Sequence, residues 1–410
     1  MAQITSGRTT YHAIATENRQ PRYVYPDIGM LEKQKAPLIT LSSELSKKRG
    51  VDVTKIEWLE DDYCARWGAV TSGGGATTSG TTIGVSDASI FTVGDLIMVP
   101  TAVTAATALE IMRVNATATG VLTVDRGFAG TTANQATISN SAAIRLIGNA
   151  YAEGAALPSQ KLTSPTTKTT YLQIFRKVLD VTKTAAASKI YGAAKGERER
   201  QHRKLMVEMK EQMNAALLWG KASEDLAGTT TSGGTKPIRT TQGLNSTIST
   251  NITDAGGLLT RKAFESFART AFRYGSETKL LLACPLLVSA VSQWATEFLQ
   301  TEPGPNKEFG INVTKITTGH GEWLMVRDWM LEAPPSGSNG LGNMAFSIDL
   351  DEFEYLYLNG NGENRDVKLT MDKVQDGGDR YVDEILGEIG YKIGQEKFHA
   401  KLYNITDYSA

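Results

Sequence analysis

AKGERERQHRKLMVEMKEQMNAALLW, residues 194–219, is the stretch on which the fold turns. Leu205, Met206, Met209, Met213, Ala216 and Leu217 recur at spacings of three and four, so a helix places them on one face. Arg198, Glu199, Arg203, Lys204, Glu208, Lys210 and Glu211 fill the remaining positions. At about 1.5 Å per residue the helix is a beam roughly 35–40 Å long, and Gly220 supplies its stop. Its methionines read as flexible core packing along the apolar stripe. The run Glu197 to Lys204 interleaves both charge signs and reads as a solvated helix face. Such a beam needs an apolar surface beneath it, and the flanking sequence must provide one.

Downstream, GTTTSGGTKP (Gly228 to Pro237) is a polar spacer. Gly228 and Gly233 have the spacing of a phosphate-binding loop, but Gly234 stands where that loop needs its lysine, so nucleotide binding is not expected. Residues 258–345 then alternate. Thr260 to Tyr274 is an amphipathic helix carrying Phe264, Phe267 and Phe272, and Lys279 to Cys284 is an apolar strand. Pro285 opens a second helix running to Leu299. Strands are expected at Ile311 to Ile316 and Trp323 to Val326, and the loop Ala333 to Asn343 closes a compact α+β lobe. The last 65 residues read as strands at Phe346 to Leu350, Tyr355 to Leu358, Val367 to Leu369 and Gly390 to Tyr403. The acidic run Asp349, Asp351, Glu352 and Glu354 lacks the ligand spacing of a calcium loop and reads as a solvated turn.

Upstream the character differs. Residues 1–60 are polar and broken by Pro21, Pro26 and Pro37, with one short helical pattern from Ile39 to Lys48. They read as an arm with no core of its own. The flexible segment TSGGGATTSGTT (Thr71 to Thr82) leads into β-type runs at Ile90 to Val99, Leu109 to Val114, Val121 to Val124 and Ala143 to Ile147. The turn signals Gly94-Asp95, Asn115 to Gly120 and Arg126 to Thr132 separate them, which argues for a small antiparallel β module. No lysine occurs between Lys55 and Lys161.

Composition narrows the function. Of 410 residues, 43 are basic and 44 acidic, giving a formal net charge of -1. A chain that lives by gripping nucleic acid shows a basic excess. Cys64 and Cys284 are too far apart in sequence for a disulfide framework or a zinc spacing, and His12, His202, His320 and His399 are scattered. They read as surface or packing residues. No secretory signal pattern and no apolar run of membrane-spanning length is present. No G-x-S-x-G, H-E-x-x-H or G-x-G-x-x-G motif appears, so catalytic, cofactor-binding and metal sites are not expected.

The order of these pieces resembles the major capsid proteins of tailed bacteriophages with the HK97 fold, in the subgroup whose extended loop carries a β insert. FTVGDLIMVP…ALEIMRV…GVLTVDRGFAGTTA is similar to the small β modules of virion proteins. YLQIFRKVLDVTKTAAASKIYG and ALLWGK flank the beam as in that subgroup, and RTTQGLNSTISTN, FRYGSETKLLLACP and EILGEIGYKIGQEKFHAKLYNIT resemble its later landmarks. The resemblance implies an N-terminal arm (1–60), an extended loop with a β insert (61–154), and a peripheral domain with the spine helix 194–219 (155–257). An axial domain (258–345) and return strands (346–410) would follow. It further implies a structural protein rather than an enzyme. Its copies would form hexamers and pentamers closing into an icosahedral head around double-stranded DNA, assembled in the host cytoplasm and resident in the virion. Scaffolding, portal and cement or decoration proteins are the implied partners, with no membrane and no cofactor. Some members of the fold crosslink subunits through a loop lysine. The lysine-free loop leads us to expect a shell without covalent crosslinks. The competing expectations are another self-assembling virion protein, such as a tail tube or decoration protein, and an α/β hydrolase with a β binding insert.

Overall fold

The computed structural model describes residues 37–39, 47–71, 80–99, 110–131, 138, 141–188, 196–225, 237–295, 301–302, 307–308, 311–332, 343–373 and 377–409. Most of the arm, the bulk of both polar spacers and the loop 333–342 lie outside them. So does most of the helix expected over 39–48, whose last residue, Lys48, instead opens a strand. The chain divides into two compact units: Leu59–Lys168, and the residues on either side of that segment.

Strands β1 (Lys48–Val51) and β2 (Lys55–Glu60) come first. The smaller unit then builds β3 (Trp67–Ala69), β4 (Thr82–Gly84), β5 (Asp95–Met98), β6 (Ile111–Ala118), β7 (Val121–Asp125) and β8 (Ala143–Asn149). Their order is β3-β8-β5-β6-β7-β4, with every neighbouring pair antiparallel. A bridge between Val70 and Val85 brings the two outer strands together, with Thr71 donating to the Gly84 carbonyl at 3.0 Å and Ser86 to that of Ala69 at 2.9 Å. The sheet therefore closes into a small barrel. Alternate residues point inward, and Ile83, Ile97, Met112, Val114, Leu122, Val124 and Ile144 fill the interior. The run expected as one strand from Ile90 to Val99 is shorter. Ala88–Ile90 forms a 3-10 turn, and the Asp95 carboxylate accepts the Thr92 amide at 2.8 Å, so pairing begins only at Asp95.

β9 (Thr166–Tyr171) pairs with β2, and β10 (Gln173–Thr182) begins the main body of the larger unit. Next come α1 (Glu197–Trp219), β11 (Ile252–Leu259), α2 (Arg261–Ala271), β12 (Thr278–Ala283), α3 (Pro285–Ala295), β13 (Ile311–Thr317) and β14 (Glu322–Arg327). The chain ends with β15 (Asn343–Ile348), β16 (Phe353–Gly360), β17 (Lys368–Thr370), β18 (Arg380–Ile393) and β19 (Ala400–Tyr408). One sheet runs β1-β16-β18-β10, with β17 beside β18. The other runs β11-β19-β15-β12-β14-β13.

The beam is present, and its stripe is the expected one. Met209, Met213, Leu217 and Leu218 are buried, with Leu205, Met206 and Ala216 partly so, against β10 and β18. The helix stops at Gly220 without a left-handed turn (φ -59°). A Cβ there would lie 2.4 Å from the Ala216 carbonyl oxygen and 2.8 Å from that of Thr241, so close backbone approach is what demands glycine. The charge run at its start is not wholly solvated, because Arg198 reaches the buried Asp383 on β18. Burying the stripe requires equal closeness from the sheet. A side chain at Gly387 would meet Val367 Cγ2 at 2.9 Å and Met209 Cε at 3.4 Å.

In the second sheet, β12 is buried along all but its first residue and β15 along its whole length. Trp323 sits at the centre of an aromatic cluster, with ring centroids of Phe264, Phe267 and Phe272 at 5.3, 5.4 and 5.0 Å. The strand expected over 390–403 is in fact two. β18 ends at Ile393, a 3-10 turn spans Glu396–Phe398 with Gln395 at φ 42°, and β19 starts at Ala400.

Candidate functional site

Three polar constellations are built into the larger unit. At the start of α1, Arg198 and His202 lie one helical turn apart and converge on Asp383, with Arg198 Nε 2.6 Å and His202 Nε2 2.7 Å from its carboxylate. Burial pushes the Asp383 acid up, but Arg198, the Asp372 amide and His202 outweigh it and hold the group at about 2. Farther along α1, the buried Asn214 donates to Asp328 at 2.8 Å, while Asp328 also accepts the Met330 amide at 2.9 Å. Burial raises the Asp328 carboxyl above the ordinary carboxylate range.

The third constellation joins Lys279 on β12, Asp349 and His399, all fully or almost fully buried. Lys279 Nζ donates to the carbonyls of Ala271, Tyr274 and Phe398 at 2.6–2.7 Å. Burial brings its ammonium down to about 8. His399 Nδ1 accepts the Asp349 amide at 3.2 Å, so Nε2 carries the proton and donates to the Gly394 carbonyl at 2.9 Å. The ring is thereby fixed as a neutral tautomer, and burial lowers its pKa to about 4. Asp349 is thus not part of a solvated turn. It caps the turn Leu350–Glu352 and accepts the Ser276 amide at 2.8 Å. The rest of that acidic run is more exposed, with Asp351 paired to Lys47 and Glu354 to Lys392.

Each constellation joins segments distant in sequence through hydrogen bonds, although the buried Asn214 Oδ1 is left without a partner. No group of three His, Cys, Asp or Glu able to hold a metal occurs among the described residues. Both cysteines are free: Cys64 is half-buried, while Cys284 is buried and burial pushes its thiol up to about 11. His320 lies 3.2 Å from Glu265 at the surface, and His12 lies outside the described residues. No helix is long and apolar enough to cross a membrane among the described residues.

The smaller unit carries the most exposed large apolar side chains. Residues 61–65 and 151–165 have neither helix nor strand. Tyr63 and Leu157 there are each 96% exposed, Leu162 is 76% exposed, and the neighbouring Leu59 is 68% exposed. In a single copy these side chains stand in water. On the barrel wall, Arg66, Trp67, Met98, Arg145, Leu146 and Ile147 line a hollow of about 410 Å³. The Arg145 guanidinium lies 5.4 Å from the Trp67 ring centre. Sequence reading pointed to the polar, charge-poor character of this excursion but to none of these residues. Trp67 and Arg145 are 78 positions apart, and only the pairing of β3 with β8 puts them side by side.

The element order matches what the resemblance implied: a β module, then the long helix, then a mixed lobe and returning strands. The family description "SU10 major capsid protein" fits residues 4–406. No curated protein matches the chain. Among solved structures, the holo-SrpI encapsulin complex of Synechococcus elongatus PCC 7942 aligns at 14% identity and a TM-score of 0.43, covering 60% of this chain and 80% of that one. The capsid of a native GTA particle aligns at 9% identity and 0.47, covering 98% and 100%. A chain from Gordonia phage Cozz aligns at 9% identity and 0.48, covering 100% and 98%. With nearly the whole sequence matched by one family description, the chain belongs to the SU10 major capsid protein family.

Proposed function

We propose that this structural capsid protein assembles as hexamers and pentamers that close into an icosahedral head around double-stranded DNA. The observation that carries this reading is the set of exposed apolar side chains on the coreless legs of the smaller unit, Tyr63, Leu157 and Leu162, and on the adjoining Leu59 of β2. A single copy leaves them in water, whereas overlapping copies bury them, and many weak overlaps add up through multivalency. In this reading the arm 1–60 and the excursion 61–154 lie over neighbouring copies. Segment 155–257 with its spine helix forms the peripheral domain, 258–345 the axial domain around the capsomer centre, and 346–410 the return strands. A near-zero net charge suits a wall that encloses DNA without clutching it.

The same reading makes the shell non-enzymatic and held without covalent crosslinks, built in the host cytoplasm. Scaffolding, portal and cement proteins are its partners. Electron microscopy of the purified protein tests the central claim. Closed shells or six-fold capsomers are expected; hollow rods would indicate a tail tube, and dispersed small oligomers would overturn assembly. A covalent ladder of this chain on denaturing gels of particles would refute the absence of crosslinks.

A further inference from the structure

We infer that Asn361 is a site of spontaneous deamidation, at which the tip of one hairpin converts to aspartate and isoaspartate while the chain stays folded. The sequence contains three Asn-Gly pairs, at 339–340, 359–360 and 361–362. Asparagine before glycine is the pair most open to this reaction, because glycine puts no side chain in the way of its own amide nitrogen. Asn339 lies outside the described residues. The other two pairs are consecutive, so one short segment holds the same dipeptide in two environments.

β16 ends at Gly360, and the chain turns back at once into the two-residue strand Glu363–Asn364, with Gly360 opposite Glu363 and Asn359 opposite Asn364. Asn361 and Gly362 are the whole loop, at φ 52° and 82°. Successive positive φ angles are what such a hairpin turn needs, and asparagine and glycine adopt them most easily. Both residues are exposed, and beyond its chain neighbours no atom lies within 4 Å of where a Cβ on Gly362 would stand. The Gly362 amide makes no hydrogen bond among the described residues. Asn359 differs on each count. The glycine after it is paired in the ladder, and its own side chain lies against Gly50 of β1, where an added Cβ would be 3.0 Å from both Cβ and Nδ2 of Asn359.

At Asn361 the Gly362 nitrogen attacks the side-chain Cγ. An N–Cγ bond forms, the Cγ–Nδ2 bond breaks, and ammonia leaves with the proton of the glycine amide. Water then opens the cyclic imide at either carbonyl, giving aspartate or isoaspartate, and each converted copy gains one negative charge. Isoaspartate also adds a carbon to the main chain, which a two-residue turn absorbs only by shifting the Gly360–Glu363 pair. That pair lies close to Arg365, whose amide donates to the Leu358 carbonyl at 2.9 Å and whose Nε donates to the buried Glu388 at 2.7 Å.

Peptide mapping by mass spectrometry tests this on the full-length chain held for days at mildly alkaline pH, where the attacking amide ionises more readily. Aspartate and isoaspartate are expected at 361, forming roughly tenfold faster than at 359, where a ladder hydrogen bond must open before attack. Gly362→Ala, which sets a methyl beside the attacking nitrogen and disfavours positive φ, should suppress the conversion. An Asn361 still intact when a synthetic peptide of residues 357–366 has converted would overturn the inference. Equal rates at 359 and 361 would do the same, as would conversion confined to chains whose circular dichroism shows them unfolded.

Discussion

The barrel of the smaller unit and the mixed lobe of the larger one bury comparable kinds of apolar side chain but treat polarity in opposite ways. The barrel's described core is aliphatic and aromatic with a single salt-bridged pair, Glu110 and Arg126, placed where the chain leaves β7. The lobe has Lys279, Asp349, His399, Asn214, Asp328 and Asp383 at or near full burial, each hydrogen-bonded to a segment distant in sequence. A closed sheet has its register fixed by the barrel itself. An open sheet of mixed direction with helices on it does not, and groups that are costly to bury unpaired penalise every packing except one. The lesson is that the larger unit's uniqueness rests on polar geometry, and the smaller unit's on topology.

The strongest way to break that contrast is to empty each core. Trp323→Ala removes the ring around which Phe264, Phe267 and Phe272 pack and should cost about 3–5 kcal/mol in chemical denaturation. Glu110→Ala leaves Arg126 buried without its bidentate partner and should cost a similar ~3–5 kcal/mol. Limited proteolysis should then cut within 59–168 first; resistance there equal to the wild type would mean the pair is dispensable.

Acid sharpens the comparison next. His399 is held near 4, chiefly by burial and also by Lys279, against the opposing pull of Gly394, Asp349 and Glu396. A base whose folded value is depressed contributes its full stability above the unfolded value of about 6.5, and loses it as pH falls from there toward 4. The lobe should therefore weaken by on the order of 2–3 kcal/mol across that window, and a His399→Gln variant should flatten the dependence. An unchanged slope in the variant would assign the loss to other groups. The smallest expected effect on folding belongs to the legs. Leu157→Ser or Tyr63→Ser should shift monomer stability by less than about 0.5 kcal/mol, yet reduce particle yield.

Much of this was legible beforehand. The stripe of α1 was readable because six residues at helical spacing leave little alternative, and the barrel strands because turn signals punctuate short Val, Ile and Thr runs. β10 and the first ten residues of β18 escaped notice for a physical reason. Arg176, Lys177 and Asp180 on the one, and the buried Asp383, Glu384 and Glu388 on the other, interrupt the apolar pattern that marks a strand. Glu384 and Glu388 are tolerated there because Arg176 and Lys373, and Arg365, reach them. The hollow was invisible for a different reason, since its two sides come from strands paired across 78 residues.

That pairing of β3 with β8 has one more consequence. The polypeptide goes into the barrel and comes out of it on adjacent strands, Trp67 opposite Arg145 and Ala69 opposite Ala143. To the rest of the chain, the whole barrel is equivalent to a short hairpin. A foreign domain whose own ends lie side by side fits the same two points of attachment, residues 67 and 145.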